Sequence, residues 1–184
     1  MSTDLVYVTE TIVPGLTKAL LSHLQSTTEK PRLITPASKT RLNALLADAR
    51  SKGATIHQSY PPNDSADEFP PTIIENLTPD MTFYTTESFG PILGIIRTPS
   101  EPHAMDLIKQ STYGLSAAIF TTSHFRALKL AREMRVGTVH VNSMTVHDEP
   151  TLPHGGVGES GFGRFGAKWG IEEFLETRTV VLNP

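Results

Sequence analysis

The chain has 184 residues, of which 38% are hydrophobic and 19% charged, and its formal net charge is −3. This length suits one domain that can bury a sizeable core without cross-links, and the composition is typical of a soluble globular protein. The small negative charge and the lack of basic runs argue against a nucleic-acid or anionic-membrane surface. Because the chain contains no cysteine, disulfides, thiolate catalysis and cysteine metal ligands are excluded.

The beginning of the chain carries no recognisable targeting segment. Asp4, Glu10 and Glu29 fall in the first thirty residues, and no basic segment followed by an apolar run is present. No apolar stretch reaches the roughly 18 residues that a membrane-spanning helix needs. We therefore expect no signal peptide, no membrane span and a cytoplasmic location.

Strand-like and helix-like segments alternate along most of the chain, a pattern typical of a layered α/β domain. Residues 5–8 predict a short strand, and a helix with Pro14 in its first turn follows. A second helix is predicted from Ser38, as its N-cap, to Gly53. Residues 60–70 contain three prolines among polar residues and predict a loop.

The remainder of the chain predicts the main sheet. Strands are expected near residues 71–75, 92–97, 116–121 and 137–142. The fold class is therefore α/β, with three layers: a mostly parallel sheet and helices on both of its faces.

Helices are expected between and after these strands. One is predicted over about 101–111, and Ser123 should cap another. The apolar side of that second helix holds Phe125, Leu128, Leu130 and Met134. An irregular stretch then covers residues 143–167, before a short helix around Ile171 and a closing strand over 179–182.

Several ordered blocks are similar to one known pattern. They are Leu42 to Ala54, Pro71-Thr72 followed by Met81 and Glu87 to Pro91, Tyr113 to Ala117, Val141-Asn142, and the glycine-rich run Pro153 to Gly166. Together they resemble the C-terminal part of the NAD(P)-dependent aldehyde dehydrogenases. The run Val146 to Gly156 resembles the branch that acts on aromatic aldehydes such as salicylaldehyde and vanillin. The resemblance implies a catalytic-domain-like fold over residues 1–176 and an oligomerisation strand over 177–184.

The same resemblance implies what chemistry to expect. In that family a cysteine thiolate adds to the aldehyde, hydride passes to the cofactor, and a thioester is hydrolysed. The nucleophile, the glutamate base, the oxyanion-hole asparagine and the dinucleotide-binding domain all precede the matched part of the family. Serine cannot replace the thiolate, because its hydroxyl is far less acidic. We therefore expect neither autonomous aldehyde oxidation nor a cofactor.

Two residues match family positions that contact the cofactor. Glu87 resembles the glutamate that accepts hydrogen bonds from the nicotinamide ribose, and Phe89 resembles the ring that packs near it. The alternative is that residues 87–91 only shape a turn. The glycine-rich run is not a phosphate cradle, since it does not lie between a strand and a helix and carries no Walker lysine. Its glycines are expected to allow left-handed backbone and close approach.

Three histidines recur at seven-residue intervals, at positions 140, 147 and 154, with Asp148 and Glu149 between the last two. They share no helix, so no metal site is predicted. By resemblance, His147 and His154 line the aldehyde pocket. His147 with Asp148 or Glu149 is the expected acid–base group, and a hydrogen-bonded structural histidine is the alternative.

The predicted substrate pocket also includes Asn142 and Phe162. Asn142 resembles a family asparagine at a strand end near the active site, although its amide could instead hold the following loop. Phe162 and Trp169 are either fillers of a core or interface, or rings that stack on an aromatic ligand. Arg164 is expected to anchor the glycine-rich loop through backbone carbonyls.

Three functions remain open from the sequence. The chain could be a repurposed pocket protein that cyclises, dehydrates or isomerises a carbonyl compound without a cofactor, for example in secondary metabolism. It could be a non-catalytic subunit of a homo-oligomer or of a full-length aldehyde dehydrogenase. It could also be a residual, non-functional oxidoreductase fragment.

Overall fold

The computed structural model describes residues 3–184, which fold as two compact units, one up to residue 107 and one from residue 108 onward. The first unit contains four strands and four helices. They are β1 (Leu5–Thr9), α1 (Val13–Ser26), α2 (Pro36–Ser51), β2 (Thr55–Gln58), β3 (Thr72–Glu75), α3 (Thr82–Thr85), β4 (Ile92–Thr98) and α4 (Glu101–Lys109), which runs across the boundary.

The four strands of the first unit form one sheet in the order β1-β4-β3-β2. β4 pairs in parallel with both β1 and β3, whereas β2 pairs antiparallel with β3. The mostly parallel sheet is therefore confirmed. β2 was not predicted, because a four-residue edge segment with His57 and Gln58 in it has too few apolar residues to show a period.

Helices cover both faces of this sheet. The neighbours Ile73 and Ile74 point to opposite faces, as successive strand residues must. Ile73 packs in a buried cluster with Val13 and Leu24 of α1, and Ile74 packs in a second cluster with α2, including Leu42. The three-layer arrangement predicted from the sequence is thus confirmed in this unit.

The start of α2 differs from the prediction. Ser38 is not the cap: Thr35 occupies that position, and its Oγ1 accepts a hydrogen bond from the Ser38 backbone amide at 3.3 Å. Pro36 fits the first turn because its ring already holds the helical φ angle and it needs no amide partner there. The helix therefore begins at Pro36.

The second unit contains β5 (Ser116–Ile119), α5 (His124–Glu133), β6 (Thr138–Val141), a single 3₁₀ turn (Gly158–Ser160) and α6 (Ala167–Glu172). Ser123 caps α5 as predicted, accepting from the Arg126 amide at 3.3 Å. β5 and β6 pair in parallel but form a two-stranded sheet of their own. The expectation that all four predicted strands join one sheet is therefore wrong.

Apolar side chains of the second unit are largely uncovered. On α5, Phe125 is 90% and Leu128 56% exposed, and only Ala127 is buried, so the predicted apolar side does not cover a core. After Glu172 the chain forms no helix or strand in the described residues, and the predicted closing strand is absent from the single chain. Among residues 3–184, no helix has both the length and the apolar character that crossing a membrane requires.

Candidate functional site

The candidate site lies in the second unit, where β6 and the loop after it bring three imidazoles and two carboxylates together. His140 is in β6, and the other four groups follow in the loop. His147 Nε2 lies 3.0 Å from Glu149 Oε1, and both side chains are about half exposed. The sequence left open whether Asp148 or Glu149 pairs with His147, and in the structure the partner is Glu149. An imidazole held by a carboxylate in this way can accept and return a proton.

Asp148 pairs with the other loop histidine instead. Its Oδ1 lies 3.5 Å from His154 Nδ1, and the His154 side chain is only 14% exposed. His154 is also fixed by its backbone, which exchanges two 2.8 Å hydrogen bonds with Phe165, and its ring lies 5.0 Å from the Phe165 ring. His154 thus lies in a backbone bridge that joins the two ends of the glycine-rich run.

His140 completes the cluster. Its ring meets that of His147 edge to face, with centroids 6.3 Å apart. Burial lowers the pKa of His140, and the nearby His147 and His154 lower that pKa further. His147 is more accessible to a ligand than the partly buried His140. No group of three potential ligands that could hold a metal ion is found within residues 3–184.

Asn142 uses its whole amide to hold a neighbouring turn. Its Nδ2 donates to the Thr121 carbonyl and its Oδ1 accepts from the Thr121 amide, both at 2.9 Å. Its own backbone has a φ of 55°, a left-handed conformation that asparagine tolerates well. The sequence left open whether this amide orients a ligand or holds a loop, and these contacts favour the second. The pocket role stays a prediction.

The glycine-rich run folds back on itself. Arg164 donates from Nη1 to the carbonyls of Gly156, at 2.9 Å, and Gly163, so its predicted role as a backbone anchor is confirmed. Gly158 needs its glycine, because its φ is 62° and a Cβ there would meet the Thr112 carbonyl oxygen. Phe162, at the outer turn of the run, is 99% exposed, so it fills no core within the chain. A role for Phe162 in a pocket is left as a prediction.

The two residues matched to cofactor contacts lie on the turn before β4, in the first unit. Phe89 is 74% exposed with a φ of 45°. Partial desolvation by the surrounding turn and the charge of Asp4 raise the pKa of Glu87, although its side chain still reaches solvent, and Arg41 partly offsets that effect. An exposed carboxylate and ring on a fixed turn are compatible with a ribose contact. The glycine-rich run, which bridges back through His154 and Phe165, does not have the strand-to-helix form of a phosphate loop.

Sequence reasoning missed the residues that fix this turn. Arg41 donates from Nη1 to the Glu87 carbonyl at 3.1 Å and from Nη2 to the Ser88 carbonyl. The Asp4 carboxylate accepts hydrogen bonds from the amide and the hydroxyl of Ser88. Both residues are more than forty positions away in sequence. No local pattern in the sequence could have pointed to them.

The sequence model of the aldehyde dehydrogenase family matches residues 1–180. The chain belongs to the aldehyde dehydrogenase family. Among its relatives, the vanillin dehydrogenase of Pseudomonas fluorescens is 40% identical over 150 residues, which is 82% of this chain. The salicylaldehyde dehydrogenase of Pseudomonas putida is 35% identical over 152 residues, or 83% of this chain. The resemblance to the aromatic-aldehyde branch is thereby confirmed.

Solved structures agree with this assignment. The crystal structure of a salicylaldehyde dehydrogenase from Pseudomonas putida G7, complexed with salicylaldehyde, superimposes with a TM-score of 0.91 at 30% identity, over 98% of this chain and 39% of that one. The match to each of the two relatives covers 31% of that relative's length. This aldehyde dehydrogenase family chain thus corresponds to about a third of the proteins it resembles.

Proposed function

We propose that this aldehyde dehydrogenase family chain transfers protons on a carbonyl compound without a redox cofactor. The observation that carries the proposal is the 3.0 Å pair of His147 Nε2 and Glu149 Oε1, with the His140 ring beside it. The carboxylate orients the imidazole, and imidazole is a side chain that can take up and release a proton in enzyme reactions.

The reaction class follows from what such a pair can do. His147 would take a proton from the carbon next to a carbonyl group, and the electron pair of that C–H bond would move into an enolate. Return of the proton to another carbon gives isomerisation, and its delivery to a hydroxyl that leaves as water gives dehydration. Attack of the enolate carbon on a second carbonyl of the same molecule, with return of the proton from His147 to the new alkoxide oxygen, gives cyclisation. No step changes the oxidation state overall, so no NAD is needed.

The proposed substrate is an aromatic or polyketide-like carbonyl compound that carries a hydrogen on the carbon next to its carbonyl group, in the cytoplasm. The relatives, whose names refer to vanillin and salicylaldehyde, support only its aromatic character, because neither of those aldehydes has such a hydrogen. His154, Asn142 and Phe162 are the proposed pocket residues. Because the chain lacks cysteine, we expect the purified protein to reduce neither NAD nor NADP with any aldehyde.

The test compares metabolites from the wild-type host with those from a host lacking the gene. The wild-type protein should restore the missing product, and His147→Ala should not, because loss of the acid–base group costs about a hundredfold or more in rate. His124→Ala is the matched control, since His124 is an exposed histidine at the start of α5, outside the cluster. Full restoration by His147→Ala would overturn the assignment of His147.

A second function is favoured by a different observation. Most of the large hydrophobic side chains that are exposed in this chain belong to the second unit. They are Phe120, Phe125, Leu128, Met144, Val146, Leu152, Phe162, Phe165, Ile171, Phe174, Leu175, Val180, Val181 and Leu182. Exposed apolar groups in such number are typical of a surface that another chain covers. The alternative proposal is a non-catalytic subunit that docks on a second copy or on a full-length aldehyde dehydrogenase.

The same gene deletion separates the two proposals. If no metabolite changes, and a full-length aldehyde dehydrogenase identified by mass spectrometry co-purifies with this chain, the docking subunit is favoured. A changed metabolite that purified wild-type protein restores alone favours the enzyme.

A further inference from the structure

The first unit has a surface groove that is separate from the histidine cluster. It has a volume of about 560 Å³, and α1 forms one wall of it. That volume lies in the range of small-molecule sites. Glu75, the last residue of β3, and Arg97, near the end of β4, form the other wall. The groove is therefore at the carboxyl ends of two parallel strands, where α/β sheets commonly bind ligands.

The charged residues that line the groove give it a positive net charge. Arg97 and Lys18 both line it, against the single carboxylate of Glu75. Glu75 is already engaged, because its Oε2 lies 2.7 Å from His57 Nε2, while its Oε1 is 3.6 Å from Arg97 Nη2. A separation of 3.6 Å is longer than a hydrogen bond, so the planar donors of the Arg97 guanidinium remain available to a ligand.

Most of the groove surface is apolar. Val13, Pro14 and Leu21 provide apolar wall from α1. Thr17 lines the groove as well, but its Oγ1 is closed to solvent and therefore does not face it.

We infer that this groove binds a small apolar carboxylate. Arg97 is suited to hold the carboxylate through two parallel N–H donors, with the Lys18 ammonium adding a second positive charge. The apolar body of the ligand would then lie against Val13, Pro14 and Leu21. The excess of positive charge in the lining favours an anionic ligand over a cationic or a neutral one.

The test uses benzoate as the probe, titrated into the isotope-labelled full chain and followed by amide NMR. Saturable shifts are expected at Thr17, Leu21 and Arg97. The neutral analogue benzyl alcohol should bind about tenfold more weakly or worse, because it lacks the charge-assisted contacts. Absence of saturation, shifts confined to other residues, or equal affinity for the two probes would each overturn the inference.

Substitutions test whether Arg97 binds the carboxylate of the probe. Arg97→Gln should weaken benzoate binding by about tenfold or more. The matched control is Arg50→Gln, which removes an equal charge from an exposed position on α2, outside the groove. Unchanged affinity in Arg97→Gln would overturn the inference. If Arg97→Gln unfolds the chain, Lys18→Gln, at an exposed position, is measured instead. A decrease of about twofold to fivefold in benzoate affinity supports the site, and an unchanged affinity overturns it.

Discussion

The Asp4 carboxylate accepts two hydrogen bonds from Ser88, one from the hydroxyl at 2.7 Å and one from the backbone amide at 2.8 Å. Ser88 is fully buried. Because β1 and β4 run parallel from Leu5 and Gly94 onward, this contact closes the sheet at the start of both strands. It also fixes the turn that carries Glu87 and Phe89, to which Arg41 donates further hydrogen bonds.

Removal of the Asp4 carboxylate should destabilise the first unit. Asp4→Ala loses two charge-assisted hydrogen bonds and leaves a buried hydroxyl poorly satisfied, so we expect a loss of about 1–3 kcal/mol in the free energy of unfolding. Urea denaturation measures the change. Asp106→Ala, at an exposed position of α4, is the control and should alter stability by less than about 0.5 kcal/mol. Equal stability of the two variants would contradict the role of Asp4.

The Asp4 carboxylate should also raise the pKa of Glu87. Asp4 is one of the causes that raise the pKa of Glu87, after burial itself. Asp4→Asn removes the negative charge while keeping the shape, so the pKa of Glu87 should fall. A titration that follows the Glu87 side-chain carboxyl carbon by NMR tests this directly. A pKa of Glu87 that stays the same or rises would show that the two charges do not interact.

The sequence predicted what depends on local pattern and missed what depends on distant contacts. Alternating segments and ordered motifs were sufficient for the α/β class and for most elements. The pairing of Asp4 with Ser88 joins positions 84 residues apart, which no single-sequence period can reveal. On α5 the period correctly grouped Phe125 and Leu128 on one side, but a period cannot tell whether anything packs against that side.

The candidate site was easier to predict, since four of its five groups lie within eight residues of one loop. The sequence could not show which carboxylate pairs with which imidazole. The backbone bridge between His154 and Phe165 determines where His154 lies, and Asp148 pairs with it, which leaves Glu149 for His147.

Gly137 should tolerate no side chain. A Cβ there would run into the backbone oxygen of Gly155, and two backbone segments cannot separate without breaking the start of β6 from the glycine-rich run. Gly137→Ala should therefore destabilise the second unit by about 1–3 kcal/mol. Gly15 in α1 is the contrast, because a Cβ there meets nothing within 4 Å. Gly15→Ala should stabilise α1 by about 0.5–1 kcal/mol. Thermal unfolding that ranks the two variants in the opposite order would contradict this account.

Stability should depend on pH through His140. Its pKa is lowered in the folded chain, so as pH falls below about 6.5 the unfolded chain takes up a proton before the folded chain does. The unfolding free energy should therefore fall between about pH 7 and pH 5. His140→Gln removes this contribution and should show a shallower slope than the wild type in denaturant titrations across that range. Identical slopes in the wild type and in His140→Gln would exclude His140 as the cause.

The last eight residues should control association rather than folding. Val180, Val181 and Leu182 are 72%, 76% and 88% exposed and form no strand within the chain, so their removal takes away little buried surface. An unpaired apolar segment gains most by pairing with another chain, through backbone hydrogen bonds and burial of these side chains. Deletion of residues 177–184 should leave the unfolding midpoint nearly unchanged and convert a dimer or heteromer to the monomer in sedimentation velocity. The double variant Val180→Asp with Leu182→Asp keeps the length and should have the same effect. A wild-type chain that is already monomeric at high concentration, and that the deletion leaves unaltered, would remove the C-terminal segment as an association site.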